Sequence, residues 1–295
     1  MTAAAPRVTV VIPNYNHAPL LRLALRSVAQ QTFQGWEAIV VDNFSTDQSE
    51  AEVRNLVDHR FRFVQVRNGG VIGRSRNVGI AAARGEWVAF LDADDLWDPE
   101  KLATCLGASR DADFIYHPLR THRFVGGRIA PVGMLRQQDI AVDPASWLLA
   151  NGPMPLTSGV MARTEALRLH GGFDEATDLI AAEDYDMWLR LAQGGARFRF
   201  VEALLGSYLV AGTHQSSAKR ALAFVPALQR KHLGTVAPCE APDWMLDFLI
   251  GSAVRTGRPM VAMRAIAALA AAGQGARAFK LVLSAASRAV RPKTR

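Results

Sequence analysis

The densest chemical potential in the chain lies at Phe90-Leu91-Asp92-Ala93-Asp94-Asp95-Leu96-Trp97, where three carboxylates within four positions directly follow an apolar run. Grouped like charges repel, and a folded chain relieves this by raising a pKa or recruiting a cation. A hard divalent ion such as Mg²⁺ or Mn²⁺ takes oxygen ligands and keeps positions for substrate phosphates, so the cluster suits a metal and a diphosphate. The same residues also suit a solvated, helix-capping turn before Pro99-Glu100-Lys101, and the motif alone leaves both readings open.

Two other apolar runs end in comparable polar groups. Val11-Ile12 enters Pro13-Asn14-Tyr15-Asn16, and Val40-Val41 enters Asp42-Asn43-Phe44-Ser45-Thr46-Asp47. Asn14, Asp42 and Asn43 can read a base or ribose by hydrogen bonds, and Tyr15 can stack on it; Asp47 reads as a turn or cap residue. Asn68-Gly69-Gly70, followed by Gly73-Arg74-Ser75-Arg76-Asn77, puts flexible backbone and two guanidinium groups at a helix start. That arrangement suits an anion or an exposed cap. A third acidic cluster, Glu183-Asp184-Tyr185-Asp186, sits at a helix start where a carboxylate either caps or, facing a dry pocket, acts as a general base. The Gly-x-Gly-x-x-Gly fingerprint and the Gly-x-x-x-x-Gly-Lys-Ser/Thr phosphate loop are absent from the sequence, which removes the main support for oxidoreductase and P-loop readings.

The elements that must position these groups alternate. Strand patterns at Val8–Ile12, Glu37–Val41, Phe61–Val66 and Glu86–Leu91 are separated by helical patterns, Leu20 to Val28, Gln48 to Val57 and Ser75 to Ala83. Such alternation predicts right-handed crossovers and a mostly parallel sheet with its ligand at the carboxyl ends of the strands. After Trp97 the rhythm becomes α+β: strands at Phe114–Tyr116 and Arg120–Val125 before a Gly126-Gly127 turn, helices at Pro144–Ala150, Thr164–Leu169 and Glu183–Gln193, and strands at Arg197–Val201 and Ser207–Val210 returning to the sheet. From Leu222 the pattern is helical. Trp97, Trp147 and Trp188 could stack on sugars, although Trp188 reads as core.

With 295 residues, 49% hydrophobic and 21% charged, the composition is that of a folded soluble protein. Cys105 and Cys239 are the two cysteines, too few for a disulfide framework, so a reducing cytoplasm is expected. Neither a signal peptide nor an apolar stretch of about 18 residues is visible. The formal charge of +7 is unevenly spread: residues 248–295 hold nine Lys or Arg and no acid. The basicity therefore belongs to the tail, which argues against a nucleic-acid-binding body. Arg277, Lys280, Ser284, Arg288 and Arg291 recur at helical spacing, with Phe279, Leu283, Ala286 and Val290 on another side. That pattern suits an anionic membrane surface or docking onto protein.

Taken together, Val10 to Asn16, Val41 to Asp47, Arg76-Asn77-Val78-Gly79, Leu91 to Asp95, Gly171-Gly172-Phe173-Asp174-Glu175 and Glu183 to Arg190 resemble, in order, the motifs of a family 2 inverting glycosyltransferase. The resemblance spans roughly the first 215 residues. It implies an α/β fold: a GT-A type, Rossmann-like nucleotide-binding sheet fused to an acceptor-binding α+β part, with a helical C-terminal extension. The implied division is 1–215 for the catalytic domain (1–110 nucleotide-sugar-binding, 111–215 acceptor-binding) and 216–295 for the extension with its basic amphipathic tail. It further implies a nucleoside-diphosphate-sugar donor near Pro13, Asn14, Tyr15, Asp42, Asn43, Arg76, Asn77, Asp92, Ala93 and Asp94. A divalent metal, Mn²⁺ or Mg²⁺, is implied at Asp94 or Asp95, with His214 near metal or diphosphate. Asp184 is the implied base, with Glu183 beside it.

Many relatives carry two aspartates where this chain has Asp42-Asn43, which leaves the base open among uracil, thymine and others. The resemblance also implies a hydroxyl acceptor in a glycan or lipid-linked glycan and a role in bacterial surface polysaccharide synthesis, in the cytoplasm or on the inner face of its membrane. Asn151 to Gly159 would form part of the acceptor wall. A metal-dependent nucleotidyltransferase lacks its glycine- and lysine-rich triphosphate cradle here, a glycosidase pair at Asp94 and Asp184 fits adjacent acids less well, and an inactive binding module is disfavoured by the presence of both clusters.

Overall fold

The computed structural model describes residues 5–125, 128–135, 137–209, 218–234, 237 and 240–290. In chain order the first part alternates β1 (Val8–Asn14), α1 (Ala18–Ala29), β2 (Trp36–Asp42), α2 (Ser49–Arg54), β3 (Phe61–Gln65), α3 (Ile72–Ala82) and β4 (Trp87–Phe90). There follow β5 (Leu96–Trp97), α4 (Lys101–Gly107), β6 (Phe114–Tyr116), β7 (Leu119–Val125), β8 (Arg128–Leu135) and α5 (Pro144–Asn151). A 3-10 turn at Thr157–Gly159 leads into β9 (Val160–Arg163), α6 (Thr164–Leu169), α7 (Glu183–Gln193), β10 (Phe198–Phe200) and β11 (Gly206–Leu209). Four helices close the chain: α8 (Ala218–His232), α9 (Asp243–Arg255), α10 (Pro259–Ala271) and α11 (Gly275–Val290).

The main sheet runs β10-β6-β9-β4-β1-β2-β3. The β-branched runs pair in parallel, β4 with β1, β1 with β2 and β2 with β3, whereas β9 enters antiparallel between β4 and β6. Both faces are covered, as a parallel sheet requires. Val8, Val10 and Ile12 pack with Leu21 and Leu25 of α1 on one side, while Val11 joins Phe90, Phe114 and Trp188 on the other, the period-2 alternation of a strand. At Gly79 a Cβ would stand 2.3 Å from Val11 Cγ1. The missing side chain thus lets α3 close on β1 and carries Arg76 to the strand ends.

Two expectations need correction. Gly206–Leu209 does not return to the main sheet; it pairs with β5 and β7 in a second sheet ordered β5-β11-β7-β8. Strand β8 was not foreseen because Pro131 and Gly133 spoil its pattern; both are tolerated because β8 is an edge strand, with a register shift opposite Thr121 and His122. Trp97 and Trp188 are both buried, so neither offers a face to a sugar. The Gly126-Gly127 turn, Cys239 and Arg291 lie outside the described residues.

The C-terminal helices meet the body through α8, whose Phe224, Val225 and Leu228 join the cluster around Trp188. A second cluster, with Leu246, Ile250, Ala265, Leu269, Ala278 and Leu281, holds α9, α10 and α11 together. Helix α11 docks by Ala278 and Leu281, and Arg277 hydrogen-bonds Asp243 and the Ala241 carbonyl. The expected apolar stripe is thus turned away: Phe279 is 65% and Leu283 54% exposed. Ala286, Arg288 and Val290 fall beyond the described side chains. Among the described residues no helix is long and apolar enough to cross a membrane.

One buried charge pins α8 to α7. Asp186, fully buried, lies 2.9 Å from His232 Nε2 and 2.8 Å from Lys231 Nζ, and accepts from Arg190 Nε at 2.9 Å. Burial alone would raise its pKa, but the bonds from His232 and Lys231 and the charge of Arg190 outweigh it and hold the carboxyl at about 2. A carboxyl depressed in the folded state stabilises the fold above its unfolded pKa and ceases to do so as pH falls through the folded one. Asp186→Asn is therefore expected to cost roughly 2–4 kcal/mol at pH 7 in urea unfolding, with the difference from wild type shrinking between about pH 4 and pH 2.

Candidate active site

The ends of β1, β2 and β4 and the turn before β9 enclose a cleft of about 660 Å³. Its lining contains Pro13, Asn14, Tyr15, Asn43, Arg76, Asp92, Ala93, Asp94, Asp95, Glu183 and Asp184, so most of the sequence-predicted residues do converge. A hollow of about 700 Å³ beside α2 and β3 has its Arg54 and Asp58 already paired with Glu50 and Arg60, and it holds none of the three acidic clusters.

At the nucleotide end, Tyr15 is half exposed and offers an open ring face. Asn14 Nδ2 donates to Asp42 Oδ1 at 2.7 Å, leaving its buried Oδ1 without a hydrogen-bond partner. Asn43 Oδ1 accepts from Asn68 N at 2.9 Å, which leaves the amide Nδ2 as the group it can offer a base. Asp42, expected beside the nucleoside, is fully buried and absent from the lining, and it accepts from Asn14, Ser45 N and Ser45 Oγ. Asn77 is likewise absent from the lining. Its side chain accepts from Phe173 N and donates to Phe173 O and Glu175, fastening α3 to the Gly171–Glu175 loop.

Arg76 holds the centre. It is 3% exposed, with Nη1 2.8 Å from Glu183 Oε1 and Nη2 2.9 Å from Asp92 Oδ1. Burial disfavours its charge, yet Asp92, Glu183 and Asp184 together raise its pKa further above the ordinary arginine value. Glu183 also accepts from Ala181 N, so its carboxylate is committed and Asp184 is the available base candidate. Asp184 Oδ2 accepts from Thr157 Oγ1 at 3.0 Å and Oδ1 from Tyr185 N at 2.8 Å. Burial, then Glu183, pushes its pKa up to about 6 against the pull of Arg76, a value suited to proton uptake near neutrality.

The aspartate loop divides its labour. Asp95 is buried, accepting from Ser158 Oγ at 2.5 Å and Leu209 N at 3.0 Å. Burial and the neighbouring Asp94 and Asp92 raise its pKa well above the ordinary aspartate value. Both its oxygens are thus engaged in holding the loop, although it still lines the cleft beside Asp94. Asp92 and Asp94 present oxygen donors in the cleft, and the excess of negative charge fits a hard divalent cation. Among the described residues no group of three or more His, Cys, Asp or Glu side chains is placed to hold a metal ion. His214 lies outside the described residues.

The sequence reading marked the Asn68-Gly69-Gly70 segment but missed His17, Ile72, Ala181, Tyr208 and Arg220 in the lining. Tyr208 and Arg220 arrive from β11 and α8, whose placement no local pattern revealed.

The glycosyl transferase family 2 model matches residues 9–165, just over half of the sequence, and the chain belongs to that family. An uncharacterized glycosyltransferase of Haemophilus influenzae is 32% identical over 192 residues, 63% of this chain and 62% of that protein. The Escherichia coli UDP-Glc:alpha-D-GlcNAc-diphosphoundecaprenol beta-1,3-glucosyltransferase is 27% identical over 189 residues, 62% and 69% of the two chains. Among solved structures, Staphylococcus aureus TarS 1–349 in complex with UDP-GlcNAc superposes with a TM-score of 0.61 at 19% identity, covering 93% and 90%. The mannosyltransferase PcManGT from Pyrobaculum calidifontis, in complex with GDP-Man and Mn²⁺, gives 0.60 at 24%, covering 98% and 82%. At these identities the likeness establishes the GT-A type fold.

Arg76→Met leaves two buried or half-buried carboxylates facing each other without their cation. It is expected to cost about 3–5 kcal/mol in urea unfolding, and Arg76→Lys should recover less than half, because one ammonium cannot reproduce the fork that reaches both partners.

Proposed function

We propose that the protein transfers a glycosyl group from a nucleoside-diphosphate sugar to a hydroxyl acceptor with inversion. The observation that carries this reading is one cleft joining Asp184, with its raised pKa of about 6, to Asp92, Asp94 and Arg76. Tyr15, Asn14 and Asn43 would hold the nucleoside, and Asp92 and Asp94 would lie along the ribose and diphosphate. Asp184 takes the acceptor hydroxyl's proton as that oxygen bonds to the anomeric carbon, and the bond from that carbon to the diphosphate oxygen breaks on the opposite side. A divalent ion held by Asp94, with Asp92 behind it, would neutralise charge on the departing diphosphate. The donors named for the relatives, UDP-Glc, UDP-GlcNAc and GDP-Man, support the donor class, and the diphosphoundecaprenol acceptor of one of them supports a lipid-linked glycan. The division at about residue 215 and a role in surface polysaccharide synthesis remain part of this proposal.

A thermal-shift screen of UDP, GDP and dTDP and their sugars with Mn²⁺ tests donor binding, since a ligand of the folded state raises Tm. Asp184→Asn should keep that shift and lose nucleotide release or transfer by at least ~10²-fold. Asp94→Asn should lose the Mn²⁺-dependent part of the shift. Wild-type behaviour in both variants would overturn the assignment.

For the tail we propose contact with an anionic lipid surface. Its support is the absence of any acid in residues 248–295 and the outward Phe279, Val282 and Leu283 of α11, with Met260 and Met263 of α10 also exposed. Each basic residue near lipid headgroups contributes on the order of 1 kcal/mol. Phe279→Ser with Leu283→Ser should reduce sedimentation with anionic liposomes severalfold while Tm stays unchanged. Equal sedimentation of the variant and wild type, or a concentration-dependent dimer that the variant abolishes, would count against it.

A further inference from the structure

The turn Thr157–Gly159 touches both halves of the candidate site. Thr157 is 4% and Ser158 1% exposed. Thr157 Oγ1 donates to Asp184 Oδ2 at 3.0 Å. The next residue grips the aspartate loop: Ser158 Oγ accepts from Asp92 N at 3.0 Å and donates to Asp95 Oδ2 at 2.5 Å, while Trp97 Nε1 donates to the Ser158 carbonyl at 2.8 Å. Two consecutive side chains therefore tie α7 and the loop after β4 to a single short piece of backbone, itself fixed at the start of β9.

We infer that Thr157 is a positioning residue that orients the Asp184 carboxylate and favours its ionised form. This rests on the reading of Asp184 as the base. A carboxylate has about four lone-pair sites. Tyr185 N takes one on Oδ1 and Thr157 takes one on Oδ2, so the carboxylate plane is set while a site remains on each oxygen for an acceptor hydroxyl. The geometry matters because a base displaced by about 1 Å can lose on the order of 10²-fold in rate.

The charge balance also needs the hydroxyl. Glu183 on the same helix and burial both work against ionisation of Asp184, and Arg76 from α3 works for it. Tyr208 from β11, Arg220 from α8, His17 before α1 and the carboxylates of Asp92, Asp94 and Asp95 share the cleft. A hydrogen bond donated to the charged form opposes the unfavourable set. Threonine supplies that donor with a methyl group that packs in the buried turn, and its neighbour's backbone is already held by Trp97.

The test is a ¹³C-carboxyl NMR titration of the full chain labelled at aspartate, with the Asp184 signal assigned by its loss in Asp184→Asn. Thr157→Val, which keeps the shape and removes the donor, should raise the Asp184 midpoint by roughly half to one pH unit. Thr157→Ser should restore it to within about 0.2 unit of wild type. With the nucleotide sugar that gives the largest thermal shift, Thr157→Val should lower kcat for nucleotide release about tenfold near pH 6.5 with KM unchanged. An unmoved midpoint in Thr157→Val, or failure of Thr157→Ser to restore it, overturns the role of Thr157. Full turnover in Asp184→Asn overturns the base assignment instead, and with it the catalytic meaning of the contact.

Discussion

The site depends on one buried cation. Without Arg76 the carboxylates of Asp92 and Glu183 would approach each other in a region poor in water, and Coulomb repulsion there is several times stronger than in bulk. With it, the loop after β4, the start of α3 and the start of α7 share one bifurcated ion pair. Burying an arginine is costly unless both ends of its fork are met, and here each nitrogen has its own carboxylate. The same charge reaches Asp184 and restrains a pKa that burial and Glu183 would raise further. Arg76 therefore couples stability to the protonation state of the cleft.

Around that pair, the fold assigns similar residues to different duties. Asp92, Asp94 and Asp95 are neighbours in sequence, yet Asp95 points into the second sheet's hydrogen bonding through Leu209 N while Asp92 faces Arg76. Glu183 is bound to the cation and Asp184 to Thr157 and its own helix start. The division is set by which way each side chain leaves the backbone, since successive residues in a turn or first helical turn point in different directions. Parallel pairing of β4, β1 and β2 gathers the strand ends, and the antiparallel β9 delivers its preceding turn to the same edge.

The C-terminal helices show another such division. Alanine-rich helices pack closely because small side chains let backbones approach, and Ala262, Ala265 and Ala278 lie in the contact. Leu246, Ile250, Leu269 and Leu281 are buried with them, while Met260, Met263 and Phe279 are left outside. Arg277 turns inward to Asp243 instead of joining a cationic outer face. An amphipathic pattern in the sequence thus does not specify which face docks when the more apolar stripe is also the bulkier one.

The sequence by itself determined the alternation of the first hundred residues, the strand ends at Asn14, Asp42 and Asp92, and the helix Glu183–Gln193, because hydrophobic period and turn chemistry are local properties. It also marked most of the cleft lining, since three clusters of charged and amide residues directly follow apolar strand patterns. Tertiary structure alone decided that Asp42 and Asn77 brace loops, that Asp95 is spent on Ser158 and Leu209, and that Glu183 is spent on Arg76. It alone brought Tyr208 and Arg220 to the cleft, joined Thr157 to Asp184 and made β11 part of a second sheet. These outcomes rest on contacts between segments far apart in the chain, such as Thr157 with Asp184 and Asp95 with Leu209. A side chain's polarity states what it can bond, and only the packed fold states which partner reaches it first.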